Sequence, residues 1–510
     1  MIEKLEFIFT PEHAETFAAD CRKSGKQVVM AHGVFDVLHL GHVRHLNRAK
    51  EEGDVLIVSI TDDEFVNKGP DRPFFTARVR AEMLASLDIV DGVVVNHGAS
   101  AIPMLKRIKP DVYVKGSDYA NPADDVTGKI TAEQKAVEAH GGRITFTDDV
   151  VFSSSNLINR QFSDLYSDEL QMYLTDRRNG KFRDQLFGYL EAANKLKVLI
   201  IGDAIMDEYI YVHSLGKASK ENIICTRLME QELFAGGVFA TANHMASMCA
   251  EVTVLTCLGV DRTDLDTINA SLKPNVTLKT IDRPGAPTTR KTRYIDKSYL
   301  RKLFEVYDFE DDPLPPNLQD QFDDMVAEEL GQYDLVVVND FGHGLLAQST
   351  IDLIQKGAKF LAANAQSNSA NHGYNMITKY GHADFVCIDA PEARLAVRDK
   401  HSPIEDVLRT LSDRIACSNI ITTHGEEGCL VFGEDGDISR IPAFTKSVVD
   451  TVGAGDAFLS IASSMAAIGA PPEQVAFLGN AAGALKVGIV GHSKSVEKPA
   501  LISYLTALLK

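Results

Sequence analysis

Between Gln27 and Phe152 short β-branched runs alternate with helical stretches, at a spacing that admits few folds. Strand-like segments fall at Gln27 to Met30, Val55 to Thr61, Gly92 to Val95, Val112 to Val114 and Arg143 to Phe146. Helical ones fall at Val43 to Glu52, Thr76 to Leu87, Ile102 to Ile108 and Ala132 to His140. Strand, helix, strand at that spacing makes parallel β-α-β units, so the segment predicts a doubly wound sheet. A second alternation opens at Lys197-Val-Leu-Ile-Ile-Gly202-Asp203 and runs to the C-terminus, about 310 residues, enough for a core of its own. Between the two, Leu165, Leu170, Met172 and Tyr173, then Phe182, Leu186, Phe187 and Leu190, keep helical spacing around Asn179-Gly180 and predict a helical hairpin. The expected organisation is an α/β domain over 1–160, a helical linker over 161–196 and a second α/β domain over 197–510.

Composition removes whole classes of function. Gly (36) and Pro (18) are too few for a low-complexity chain, and 45% apolar with 24% charged residues is globular. The longest aliphatic stretches, such as Val55 to Ile60 minus its serine and Val198 to Ile201, are strand-sized, whereas a membrane span needs about 20 apolar residues, so no membrane partner is expected. The first thirty residues lack the pattern of a signal peptide. Seven Cys without a Cys-x-x-Cys pair suggest neither a disulfide framework nor a zinc site, but reduced thiols in a cytoplasm. The net charge of −19 repels nucleic acid. A site for small anions must therefore appear as a local motif.

The first such motif is Val28-Val-Met-Ala-His32-Gly33-Val34-Phe35-Asp36-Val37-Leu38-His39-Leu40-Gly41-His42, a strand, a glycine turn and a helix start. That turn aims backbone N–H groups and the positive helix end at an anion, with His39 and His42 three residues apart beside it. A basic loop follows, Lys68-Gly69 with Arg72-Pro73-Phe74-Phe75, leading to Arg78 and Arg80 on a helix, where Arg can grip phosphate bidentately. Further on stand Ile108-Lys109-Pro110-Asp111-Val112-Tyr113-Val114-Lys115-Gly116-Ser117-Asp118-Tyr119 and the serine triplet Ser153-Ser154-Ser155.

Taken in order, these elements resemble the nucleotidylyltransferase superfamily, whose His-x-Gly-His motif binds a triphosphate. The resemblance implies a Rossmann-like fold. It also implies that His39 and His42 stabilise charge on the attacked phosphorus, a form of electrostatic catalysis. By the same resemblance His32, Gly33, Phe35, Asp36, Lys68, Arg72, Arg78, Lys115, Asp118, Ser153, Ser154 and Ser155 bind nucleotide and phosphate, with ATP or CTP as donor.

The second motif is Asp450-Thr451-Val452-Gly453-Ala454-Gly455-Asp456-Ala457-Phe458. Glycines at a loop-to-helix junction leave bare N–H groups for an anion hole, and Asp456 beside it can accept a proton from an attacking hydroxyl. The string resembles the signature of the ribokinase-like (PfkB-type) sugar kinases, and the likeness recurs from Val198 to about Leu509. It implies sugar contacts from Asp203, Asp207, Gly236, Gly237 and Asn243, and an ATP and anion site at Thr423, Gly425, Gly428, Thr451, Gly453, Ala454 and Gly455. Asp389 and Glu392 stand where the family organises Mg²⁺. Two positions that are lysine in heptose kinases read here as His343 and as the Asn364 to Gln366 amides, which implies an acceptor with a weaker or repositioned anion. Arg290, Lys291 and Arg293 could replace the charge.

Both halves together resemble the bifunctional heptose 7-phosphate kinase/heptose 1-phosphate nucleotidylyltransferases, in inverted order. The resemblance implies phosphorylation of a sugar or sugar phosphate from ATP·Mg²⁺, then nucleotidyl transfer to a sugar phosphate with release of pyrophosphate, in a homodimer. Two alternatives stand beside it. One is a transferase whose kinase-like half only senses ligand or dimerises. The other is a cytidylyltransferase for a glycerol- or ribitol-type phosphate.

Overall fold

The computed structural model describes residues 5–66, 68–70, 72–116, 129–147, 166–260, 262–298, 300–433 and 435–510. The expected Asp118, Ser153, Ser154 and Ser155 lie outside these described residues. The chain divides into two compact units, Met1–Leu165 with Ile502–Lys510, and Tyr166–Leu501.

In the first unit six strands, β1 (Ile8–Phe9), β2 (Val28–Gly33), β3 (Val55–Thr61), β4 (Gly92–Asn96), β5 (Val112–Gly116) and β6 (Arg143–Thr147), form one sheet in the order β1-β4-β3-β2-β5-β6. Every pairing is parallel. Alternate residues feed two cores: Val29, Ala31, Leu56 and Val58 pack on one face, Val28, Met30, Val55 and Ile57 on the other. A parallel sheet needs this double cover, which is why its strands read as continuous aliphatic runs. From β2 the chain winds outward to β3 and β4, then returns to β5 on the other side, so the switch point lies at the carboxyl end of β2. That end carries His32 and Gly33.

The second unit begins earlier than expected. Helices Asp168–Thr175 and Gly180–Ala192 do form the hairpin, but they cluster with the second unit rather than standing as a linker. Leu170, Leu174, Leu186 and Leu190 are buried, Tyr173 stacks on Phe477 at 6.3 Å, and Arg177 pairs with Glu473.

Its main sheet contains β7 (Lys197–Gly202), β10 (Glu251–Leu258), β11 (Val276–Asp282), β14 (Leu335–Asp340), β15 (Leu361–Ala365), β16 (Phe385–Asp389), β17 (Ile420–Thr423), β18 (Cys429–Phe432) and β19 (Ile438–Ile441). They lie in the order β11-β10-β7-β14-β15-β16-β17-β18-β19, parallel through β17 and antiparallel after it. The switch point falls between β7 and β14, where Asp203 follows β7 and Asn339 and Asp340 end β14.

A separate four-stranded sheet, β13-β12-β8-β9, is built from β8 (Ala204–Lys217), β9 (Ile224–Gly237), β12 (Thr289–Asp296) and β13 (Arg301–Asp308). It was not anticipated. Residues of β9 and β13 are mostly exposed and show no clean alternation of apolar and polar side chains. Among the described residues no helix is long and apolar enough to cross a membrane.

Candidate active sites

In the first unit the chain leaves β2 through a strained turn and enters the helix Leu40–Glu51 at His39, whose Nδ1 accepts the Gly41 N–H at 3.0 Å. Phe35 (φ 51°) and Val37 (φ 47°) both adopt left-handed backbone, costly for a β-branched residue, and such strain collects at functional sites. The turn brings the imidazoles of His39 and His42 into a stack, with centroids 3.9 Å apart, and Phe35 meets His42 edge-on at 5.3 Å. Burial, then the neighbouring charges of His39, Lys68 and His45, lower the His42 pKa to about 3, so this imidazole is neutral at pH 7. Burial lowers His39 too.

Asp36 ties the basic loop to this turn, its carboxylate accepting the Phe74 N–H at 2.7 Å and the Phe75 N–H at 3.0 Å. Arg72 stands at the start of that loop. Lys68 is pulled down to about 8, by burial first and then by the positive charges of Lys510 and Arg72. Tyr504, from the C-terminal residues of this unit, covers Gly69, where a β-carbon would lie 2.2 Å from its ring. His32 is held at the strand end, with Nδ1 3.0 Å from Ser59 Oγ and Nε2 3.4 Å from Thr61 Oγ1.

Two expected phosphate ligands are placed differently. Arg78, with 84% of its side chain exposed, pairs with Glu82 at 3.0 Å on the outer face of the helix Ala77–Ala85 and does not join the histidines. Two residues on, the 3.6-residue period turns Arg80 fully inward, where it donates to the carbonyls of Phe75, Val34 and Thr61 and to Asp63. Arg80 therefore pins the turn from beneath. Lys115 lies buried against Glu133 at 3.1 Å, a carboxylate also held by the Tyr113 hydroxyl and the Ala101 N–H.

In the second unit the helix Ala454–Ala467 starts at Gly453 (φ 77°), and its first turn leaves backbone N–H groups without helical partners. Asp456 lies buried in that turn. Its Oδ1 accepts from Asn339 at 3.2 Å and from Gln366 at 3.4 Å, residues at the ends of β14 and β15. Burial raises the Asp456 pKa, while the nearby His492 charge and the Asn339 bond oppose it. The strand ends thus aim two amides at the carboxylate that the motif supplies.

Asp203 and Asp207 also enter this region. Asp203 accepts the Phe341 N–H at 2.8 Å and is pushed up to about 7, by burial and then by the Asp340 charge. Both Asp207 oxygens are taken, one by Arg293 and the other by His492 at 3.1 Å, so its pKa is held low in spite of burial. The two glycines are required here. A β-carbon on Gly236 would lie 1.9 Å from Asp207 Oδ2, and Gly237 (φ 55°) lets the backbone pass Asp203.

Asn243 is a correction. It sits further along the helix Val238–Ala246, where it bonds Ser271 O at 3.1 Å and the Lys273 N–H at 3.0 Å. The residue that the helical period turns toward Asp456 is Thr241, whose hydroxyl accepts from Asn339 at 2.8 Å. Arg290 is also displaced, paired with Asp264 at 2.7 Å and with Glu208 at 3.4 Å on one face of β12, while on the other face Arg293 pairs with Asp207 and the Lys291 ammonium lies over the rings of Tyr307 and Phe341. His343 is buried and neutral, its pKa lowered to about 4 by burial and then by Lys291.

Asp389 and Glu392 form a capping box at the helix Ala390–Val397, and Glu392 also accepts the Ser367 N–H at 2.8 Å. Burial, then the Asp389 charge, raises Glu392 to about 8. Two carboxylates that repel each other in partial burial are hard oxygen donors suited to Mg²⁺. Thr423 pairs in register with Asp389, and Gly428 (φ 89°) turns β17 into β18. Thr451 and Gly455 are exposed, on either side of Gly453 and Ala454. Sequence reasoning missed His492 and Lys486, which carry no motif of their own.

A family model described as pfkB family carbohydrate kinase matches residues 195–499, and a cytidylyltransferase-like model matches residues 30–160. "Bifunctional protein HldE" of Nitratiruptor sp. is 42% identical over 142 residues, 28% of this chain and 30% of that protein. The protein of that name from Trichlorobacter lovleyi is 25% identical over 316 residues, 61% of this chain and 63% of its own. The chain thus spans less than two thirds of the length of either relative. A crystal structure of Escherichia coli phosphofructokinase-2 superposes with a TM-score of 0.51 at 14% identity, over 62% of this chain and 100% of that one, which shows a common fold.

Proposed function

Since the chain belongs to the pfkB family of carbohydrate kinases over residues 195–499 and is cytidylyltransferase-like over 30–160, we propose that it activates a sugar in two steps. In the first, the C-terminal half phosphorylates a heptose-type sugar or sugar phosphate from ATP. In the second, the N-terminal half transfers a nucleotidyl group from ATP or CTP to a sugar phosphate and releases pyrophosphate. The observation that carries the reading is Asp456, buried at an anion-binding helix start and oriented by Asn339 and Gln366. A module that only sensed ligand would have no use for a base so held.

In the kinase step the acceptor hydroxyl gives its proton to Asp456 as its oxygen attacks the γ-phosphorus, and ADP leaves. Asp203 accepts from a sugar hydroxyl, Asp207 holds Arg293 and His492 in place, and the turn Thr451–Gly455 binds the transferring phosphoryl group. Asp389 and Glu392 would hold Mg²⁺, which neutralises charge on the ATP phosphates. Thr423, Gly425 and Gly428 line the nucleotide side.

In the transfer step a sugar phosphate oxygen attacks the α-phosphorus, with His39 and His42 donating N–H bonds to the oxygens that gain charge. A neutral His42 is a suitable donor, since it need not lose a counter-ion to act. Lys68 and Arg72 receive the β- and γ-phosphates.

The small sheet leaves Leu215, Ile224, Leu228, Phe304 and Val306 exposed, which supports a homodimer through that sheet. Seven free cysteines, four of them buried, suit a reducing cytoplasm. A screen of nucleoside triphosphates against sugars and sugar phosphates, with ADP and pyrophosphate detected separately, tests the whole reading. ADP from a heptose-type acceptor and pyrophosphate from a sugar 1-phosphate are expected; pyrophosphate with no ADP from any acceptor would leave only the transferase.

A further inference from the structure

The two-step reading leaves Lys486 unused, although it is among the largest fully buried side chains of the chain, with 0% exposure. It ends the helix Pro472–Lys486 and turns its ammonium back under the anion-binding turn. There Nζ donates to Val452 O and to Gly491 O, both at 2.7 Å. These carbonyls belong to the two loops that frame the turn. The same loops are joined by Val487 O, which accepts the Val449 and Asp450 N–H groups, and by Asp450, whose carboxylate accepts the Gly491 N–H at 2.9 Å. The lysine stem packs against Gly453, where a β-carbon would lie 3.1 Å from Cε.

An ammonium without a carboxylate hydrogen bond is expensive to bury. Two carbonyls coordinate it as they would a small monovalent ion, and the carboxylates of Asp450, Asp456 and Asp207 favour its charge through space. Burial draws its pKa down and these three oppose the shift.

We propose that Lys486 is a built-in monovalent cation of the kinase site. It fixes the spacing of the Val452 and Gly491 loops and adds positive charge behind the turn that receives the phosphoryl group, so turnover needs no free monovalent ion. This rests on the kinase reading. Lys486 is a positioning residue, acting through the turn and through Asp456.

The test compares the full chain with Lys486→Met, which keeps the stem and removes the charge. In the wild type, ADP release is expected to be equal in potassium, ammonium and choline chloride at one ionic strength. In Lys486→Met, kcat is expected to fall by about 10²-fold, the scale of a lost oxyanion donor, with acceptor KM little changed and pyrophosphate release intact. Ammonium or potassium, which fit between the two vacated carbonyls, restore most of that loss and choline does not.

A wild type that requires potassium overturns the proposal, and so does a variant with undiminished kcat or one that no small cation rescues. The wild-type comparison stands even if the variant fails to fold. If no acceptor yields ADP with the wild type, the kinase reading fails on its own. The cation is then tested by melting: ammonium chloride should raise the midpoint of Lys486→Met over the choline control and leave the wild type unmoved, and the reverse overturns the proposal.

Discussion

Lys291→Met should separate a phosphorylated acceptor from its dephosphorylated analogue. Lys291 lies in β12 with 7% exposure, its Nζ 5.5 Å from the Tyr307 ring and 5.4 Å from the Phe341 ring. Among the described residues no carboxylate forms an ion pair with it, because Arg293 and His492 occupy Asp207. A buried cation on aromatic faces, beside the Asp203 region, is a place for an anion that the ligand itself brings. One charge-assisted hydrogen bond contributes about 1.5 to 3 kcal/mol, so its loss should weaken binding roughly 10- to 150-fold.

Titration calorimetry of heptose 7-phosphate against heptose, with wild type, Lys291→Met and Arg290→Ala, reads this directly. The expected result is a loss for Lys291→Met on the phosphorylated sugar alone, with Arg290→Ala close to wild type. Arg290 is spent on Asp264 and Glu208. His343, its pKa lowered to about 4, should add no pH dependence of its own between pH 6 and 8. Equal losses on both sugars would reduce Lys291 to a packing role, and a loss confined to Arg290→Ala would refute the assignment of faces.

Three further outcomes are expected. His42→Ala should lower pyrophosphate release by about two orders of magnitude, the scale for an oxyanion donor, and leave ADP release unchanged; a near wild-type transfer rate would remove the histidine stack from the chemistry. Asp456→Asn keeps the shape of the side chain, so it should abolish ADP formation without affecting pyrophosphate formation from a supplied sugar 1-phosphate, and residual ADP at the wild-type rate would exclude the base. Glu392 must lose its proton to hold a cation, and its pKa is raised to about 8. The Mg²⁺ concentration for half-maximal ADP release should therefore fall as pH rises from 6 to 8 and level off above that, and Glu392→Gln should lose this dependence; a profile that the substitution leaves unchanged would place the metal elsewhere.

What the sequence determined by itself was local. The two alternations of strand and helix follow from aliphatic runs with strand length, and each candidate anion site follows from a short string, His32 to His42 or Asp450 to Phe458, that reads as a loop entering a helix. The hairpin around Asn179 was legible for the same reason, but its allegiance to the second unit was not, since that depends on Phe477 and Glu473 about 300 residues away.

Tertiary structure alone decided which neighbours in sequence face a site. Arg78 and Arg80, Thr241 and Asn243, Arg290 and Lys291 are each one or two residues apart, and each pair diverges because packing sets the rotation of a helix or the face of a strand. The four-stranded sheet escaped notice because β9 and β13 are mostly exposed with no alternating apolar face, and its two hairpins are joined only by the long-range pairing of β8 with β12. Lys486 and His492 escaped for a related reason. They come from beyond the Asp450 motif and reach its turn only when the helix Pro472–Lys486 folds back, so they join that turn through burial, through the Asp207 contact of His492 and through carbonyls that no sequence pattern marks.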